Sequence, residues 1–225
     1  MTTTVHRLDY GHFLRPAEEA GLPHARAEAL LGYLVRHPGG TLLFDTGMGA
    51  DPETDAHYRP TRRELDVALA DVGARRGEVD VVVNCHLHFD HCGGNPLFLG
   101  VPVLAQRKEL LAARAVVDYT LGELIEAPGV RYEELEGEAE VWPGVRVVPT
   151  PGHTEGHQSL VVEGVEGATV LAGQAFDTAS EFAAAEMSRR AGGAGGPWPG
   201  WLDRFAELGA RRVLFAHDRS VWEGP

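Results

Sequence analysis

Short apolar runs separated by glycine and proline mark this chain from end to end, and only a few stretches keep a helical period. Alternating apolar and polar positions predict a first strand over residues 2–10. A hairpin follows over 29–36 and 40–45, turned at His37-Pro38-Gly39-Gly40. Residues 11–26, richer in Pro, Gly and Glu, read as a loop or short helix, and 51–59 as a polar loop. Leu65, Leu69 and Val72 share one face of a helix predicted over 61–72, with Thr61 as N-cap and Glu64 completing a capping box. The β-branched run Val79-Asp80-Val81-Val82-Val83 predicts a buried strand. Further strands are expected over 101–105, 130–135, 139–142, 145–148, 159–163, 169–173 and 212–215. Helices are expected over 106–115, 179–190 and 201–208, the last closed by Gly209. Residues 116–128 carry no definite period, and the Gly/Pro-rich stretch 191–200 predicts a mobile loop. Two blocks of strands, each followed by helices, imply two sheets face to face with helices outside. That is a four-layer αββα sandwich of the α/β class, one domain over residues 1–225.

Composition narrows the function. An apolar fraction of 44% supports a sizeable core, and a formal net charge of -13 argues against nucleic acid and anionic membrane surfaces as partners. No basic segment followed by an apolar core opens the chain, and no apolar run is long enough to cross a bilayer, so the expected compartment is the cytoplasm. A small-molecule substrate is the expected partner, and a homodimer stays open. Cys85 and Cys92 are too close to the histidines between them for a disulfide to form without distorting that loop. Cys85 reads as a small buried hydrophobe; Cys92 reads as packing, with a place beside a metal ligand as the other option.

The chemistry is concentrated at residues 84–95, where His86, His88, Asp90 and His91 follow the buried strand and Gly93-Gly94 ends it in a loop. Three imidazoles and a carboxylate at one strand end suit a divalent metal such as zinc, without thiolates. Downstream, Thr150-Pro151-Gly152-His153-Thr154-Glu155-Gly156-His157 puts His153 forward as a ligand and His157 as a structural group bonded to its own loop. His217 ends the last predicted strand. Asp45, at the end of the second hairpin strand, is expected to accept a proton from a ligand's free ring nitrogen. Six candidate ligands exceed one tetrahedral zinc and divide into two sets of three. A metal pair lowers the pKa of bound water toward about 7 and polarises a carbonyl, so no activated Ser or Cys is required.

His86-x-His88-x-Asp90-His91 with the later His153 and His217 resembles the metallo-β-lactamase superfamily. Within it, Phe44-Asp45-Thr46-Gly47-Met48, residues 86–95, Pro143-Gly144-Val145, residues 150–160 and Phe215-Ala216-His217-Asp218 are similar to N-acyl-homoserine lactonases. The resemblance implies that His86, His88 and His153 hold one metal and Asp90, His91 and His217 the other. It further implies hydroxide attack on a lactone carbonyl, with Asp90 acting as a ligand rather than a free base. One position departs from the family: Gln174 stands where a bridging aspartate is expected. Its neutral amide can bind one metal through oxygen, or none. Asp177 falls where these lactonases carry a substrate-positioning tyrosine; it either turns in as a catalytic carboxylate or caps the helix starting near Thr178. Tyr119 is a candidate to supply the missing phenol.

The expected function is a metal-dependent hydrolase that opens a lactone ring, in the quorum-quenching manner of that family. Hydrolysis of another ester, a thioester or a β-lactam is the alternative within the same chemistry. A metal-binding protein with weakened or lost hydrolysis, owing to Gln174, is the alternative outside it. A mononuclear iron oxidase or dioxygenase of this fold is a weaker one.

Overall fold

The computed structural model describes residues 3–192 and 198–224. Seven strands, β1 (Thr4–Arg15), β2 (Arg26–His37), β3 (Gly40–Phe44), β4 (Thr61–Arg62), β5 (Val81–Val83), β6 (Pro102–Gln106) and β7 (Arg131–Leu135), form the first sheet in the order β4-β1-β2-β3-β5-β6-β7. Six more form the second sheet: β8 (Ala139–Trp142), β9 (Val145–Pro149), β10 (Gln158–Val162), β11 (Ala168–Leu171), β12 (Ala210–Leu214) and β13 (Val221–Glu223), in the order β13-β12-β11-β10-β9-β8. The helices are α1 (Ala17–Ala20), α2 (Pro52–Tyr58), α3 (Leu65–Asp71), α4 (Arg107–Ala115), α5 (Gly122–Ile125), α6 (Ala179–Gly192) and α7 (Trp201–Glu207).

The alternation in β2 explains the layering. Leu31, Tyr33 and Val35 point between the sheets, where they meet Phe44, Val83, Val147 and Leu160. Leu30 and Leu34 point outward and are covered with Leu65 and Leu69 of α3. On the far side, Val161, Val170 and Val213 pack under Phe182 of α6 and Trp201 and Phe205 of α7. The result is the four-layer αββα sandwich expected from the sequence.

Strand direction places the chemistry. β3, β5, β6 and β7 run parallel, as do β11 and β12, so the loops leaving them gather at common sheet ends. β10 runs antiparallel to β11, which brings the loop before Gln158 to the same end as the loop after Leu171.

Several expectations are corrected. Residues 11–15 continue β1, because Gly11 to Arg15 pair with Leu30 to Arg26 of the neighbouring strand. Residues 51–59 hold α2: Asp51 caps it by accepting from Thr54 N, with Pro52 at the first position. The helix predicted from Thr61 begins only at Leu65, since Thr61 and Arg62 pair with His12 and Gly11 as β4. Thr61 is therefore not its N-cap, and Glu64 makes no side-chain cap bond. The expected mobile loop at 191–200 largely falls on 193–197, outside the described residues; Ala191 and Gly192 complete α6. No helix among the described residues is long and apolar enough to cross a membrane.

Candidate metal centre

The loop after β5 carries the first donors. Its backbone is fixed from several sides: Thr46 N and Asn84 Nδ2 both donate to the His91 carbonyl, at 2.8 and 3.0 Å. Asn95 Nδ2 in turn donates to Asn84 Oδ1 at 2.9 Å. The imidazoles of His86, His88 and His153 meet in one cluster, with His86 Nε2 2.9 Å and His153 Nε2 3.2 Å from His88 Nδ1. Burial pushes all three imidazoles below their ordinary range, His153 to about 3, and repulsion from neighbouring histidines, His91 in every case, adds to the effect. They are therefore neutral near pH 7, the form that binds a metal.

Beside them lies a second cluster. His91 Nε2 is 3.2 Å from His217 Nε2 and 3.3 Å from Gln174 Oε1. Asp90 Oδ2 sits 3.4 Å from both ring nitrogens. The far side of each ring is already committed: His91 Nδ1 donates to Asp45 Oδ2 at 3.0 Å, and His217 Nδ1 donates to the Ala29 carbonyl at 2.9 Å. Those partners fix both tautomers and turn both Nε2 atoms toward Asp90 and Gln174. Burial works against the Asp90 charge, but His91 and His217 hold its carboxyl at about 2. Burial also disfavours a charged His91, yet Asp90 and Asp45 raise it to about 9. One proton on His91 thus satisfies a ring of acceptors.

The donor set fits a divalent cation. Tetrahedral ligands at about 2.05 Å from zinc lie about 3.3 Å apart, and the observed contacts of 2.9–3.4 Å bracket that spacing. Each inward atom is an imidazole nitrogen or a side-chain oxygen, the kinds of atom that ligate a divalent cation in their deprotonated form. Residues able to hold one metal are His86, His88 and His153; those able to hold another are Asp90, His91 and His217, with Gln174 oxygen beside them.

Asp45 lies behind this second set, in a left-handed backbone with φ 62°. Its Oδ1 accepts from Cys85 N at 2.8 Å while Oδ2 takes the His91 proton. His157 bonds outside the donor set, though not to its own loop's backbone as expected: Nδ1 donates to the Thr150 hydroxyl, Oγ1, at 2.7 Å, and Nε2 accepts from Gln174 N of the loop after β11 at 3.1 Å. Cys85 and Cys92 are both free and fully buried. Cys92 packs with Leu87, Ala105 and Leu110. Cys85 is more than core filler, because its Sγ lies 3.1 Å from His86 Nδ1 and 3.2 Å from His91 Nδ1. Gly173, at φ 58°, makes room for it, since a Cβ there would come within 2.3 Å of Cys85 Cβ.

Asp177 caps nothing: Thr178 caps α6 instead, its Oγ1 accepting from Glu181 N. Asp177 Oδ2 accepts from Arg15 and Arg26 at 2.8 and 2.7 Å, and its Oδ1 accepts from Gln174 Nε2 at 3.1 Å. Burial works against its charge, but the Gln174 amide and the two guanidiniums hold its carboxyl at about 2. Tyr119 lies against His88, with ring centres 4.7 Å apart, and its hydroxyl is committed to Glu109 at 2.5 Å.

Glu109 itself has no local sequence signal. Buried on α4, it accepts from Leu87 N, from Tyr119 and from Thr154 Oγ1, so one carboxylate ties both histidine loops together. Gly156 allows the approach, because a Cβ there would lie 2.4 Å from Glu109 N. The mouth of the site is a cleft of about 70 Å³ lined by Phe13, Arg15, Tyr58, Phe89 and the donors His88, Asp90 and His153. Tyr58 stacks edge-on to Phe13 and tilts over Phe89, giving the cleft an aromatic rim.

The chain is similar in sequence and fold to known proteins. Residues 31–217 match the family model of the metallo-beta-lactamase superfamily. An N-acyl homoserine lactonase of Bacillus sp. is 37% identical over 155 residues, covering 62% of this chain and 60% of that protein. An N-acyl homoserine lactonase of Azorhizobium caulinodans is 29% identical over 152 residues, covering 58% of each. The chain thus spans about three fifths of the length of the curated relatives it matches. A solved N-acyl homoserine lactone hydrolase, with the product N-hexanoyl-L-homoserine at its catalytic metal centre, superposes with a TM-score of 0.77. That similarity covers 97% of this chain and 95% of the other at 26% identity.

Proposed function

Because the chain belongs to the metallo-beta-lactamase superfamily, we propose that it is a two-metal hydrolase that opens the ring of an N-acyl-homoserine lactone. The observation that carries this reading is the convergence of two donor triads, His86/His88/His153 and Asp90/His91/His217, on adjacent points at the foot of one cleft. Imidazole and carboxylate at tetrahedral spacing favour zinc among the divalent metals. When bound, such a pair supplies hydroxide at neutral pH and polarises the carbonyl to be attacked.

The chain's own residues do the rest. Asp45 keeps His91 Nδ1 protonated and so frees its Nε2. The Ala29 carbonyl does the same for His217. Gln174 stands where a carboxylate is expected and offers an uncharged oxygen. The aromatic rim of Phe13, Tyr58 and Phe89 suits an acyl chain, whose burial excludes water from the cleft. Buried, unbridged Cys85 and Cys92 support a reducing, cytoplasmic site of action.

The test is a substrate panel on zinc-loaded protein, with ring opening followed as acid release in weak buffer. N-acyl-homoserine lactones should be turned over faster than thioesters and β-lactams. Protein that holds its metals yet opens no lactone would overturn the reading.

A further inference from the structure

An amide has two different ends, and at Gln174 the difference matters. Its oxygen, turned toward His91 Nε2, can ligate a metal; its NH2 group in the same place would aim hydrogens at the cation. Gln174 lies on a fixed backbone, with its N–H held by His157 Nε2, so the choice is made at the side chain. There, Gln174 Nε2 donates to Asp177 Oδ1 at 3.1 Å while Oε1 lies 3.3 Å from His91 Nε2. Asp177 is itself immobilised, because its other oxygen accepts from Arg15 Nη1 and Arg26 Nη2. These arginines end β1 and begin β2, where they pair with each other in register. Both also reach Glu28, which is buried. The first sheet therefore holds, across the mouth of the site, the carboxylate that orients a residue of the second.

We infer that Asp177 is a positioning residue that selects the oxygen of Gln174 as a neutral ligand of the second metal. The inference rests on the reading that two metals bind, and it accounts for how a chain without the expected bridging carboxylate keeps an oxygen donor there. A carboxylate at position 174 has no wrong end and would need no such selector.

That asymmetry supplies the test. In Asp177→Asn the two arginines claim the only side-chain oxygen, so the new amide turns its NH2 group toward Gln174. Two donors then face each other, and the Gln174 amide rotates to relieve them, presenting Nε2 to the metal. Chelator competition with zinc, and the visible spectrum of the cobalt-substituted protein, report on the second site without any substrate. Wild type should bind two equivalents. Asp177→Asn should weaken the second by about 10–100-fold and leave the first unchanged. The double variant Gln174→Asp/Asp177→Asn should recover the second equivalent. An unaltered second site in Asp177→Asn, a folded double variant that fails to recover it, or a wild type that binds one equivalent would each overturn the inference. Wild type holding two metals without opening lactones would retire the proposed substrate and leave this inference standing.

Discussion

Replacing Asp45 by Asn exchanges one oxygen for NH2 and should weaken the protein's hold on the second metal. The backbone at this position is left-handed, φ 62°, a conformation that Asn tolerates well, so the turn itself is preserved. The Tyr10 hydroxyl bonds the Asp45 carbonyl and is also unaffected. What changes is the pairing of the two side-chain ends. Cys85 N donates at 2.8 Å to one oxygen and therefore holds the new amide oxygen there. The amide nitrogen must then face His91 Nδ1, 3.0 Å away from the atom it replaces. Two donors cannot meet, so in the neutral form that binds a metal His91 keeps its one proton on Nε2, the atom that would ligate the metal, rather than on Nδ1. Loss of an orienting partner costs about 10–100-fold in metal affinity, equivalent to about 1.4–2.7 kcal/mol. The assay is competition with a chromophoric chelator on Asp45→Asn and wild type, read separately for the two equivalents. The equivalent held by His86, His88 and His153 should be unchanged. A second equivalent within twofold of wild type would refute the tautomer argument.

Glu109→Ala should lower the urea-derived stability by about 3–5 kcal/mol, because it deletes three bonds to a buried carboxylate and strands Leu87 N. Glu109→Gln should cost about 1 kcal/mol, since the Thr154 hydroxyl can turn to accept; equal losses for the two would contradict this role. Chelator-treated protein should lose stability as pH rises from about 6.5 to about 9. The folded state raises His91 above its unfolded value, so its contribution is complete below the lower limit and gone above the upper. A thermal melting temperature that rises over that interval would count against it. Phe89→Ala should raise KM for long-chain lactones about 10-fold more than for short-chain ones, through lost apolar contact at the rim; a uniform change across chain lengths would place the acyl chain elsewhere.

What the sequence discloses is what local pattern controls. The run Val79–Val83 and the glycines after His91 announce a strand ending in a loop of candidate ligands, and five imidazoles with one carboxylate mark out a candidate metal site. β1 and β4 were less legible because residues 11–15 and Thr61 become strand only through pairing with distant partners. α2 had a local signal, Asp51 followed by proline, that its polar composition masked. The groups that hold the ligands in place are the least visible. Glu109 reaches Leu87 22 residues away, and Asp177 meets Arg15 and Arg26 across 162 and 151 residues. A carboxylate that fixes a loop reads, in one dimension, like any exposed acid on a helix.

The most direct test is the initial rate of N-acyl-homoserine lactone ring opening as zinc is titrated into chelator-stripped protein. Two donor triads predict little turnover at the first equivalent and a break at two equivalents per chain. A rate that saturates at one equivalent, or two bound equivalents with no ring opening, would contradict a two-metal lactonase.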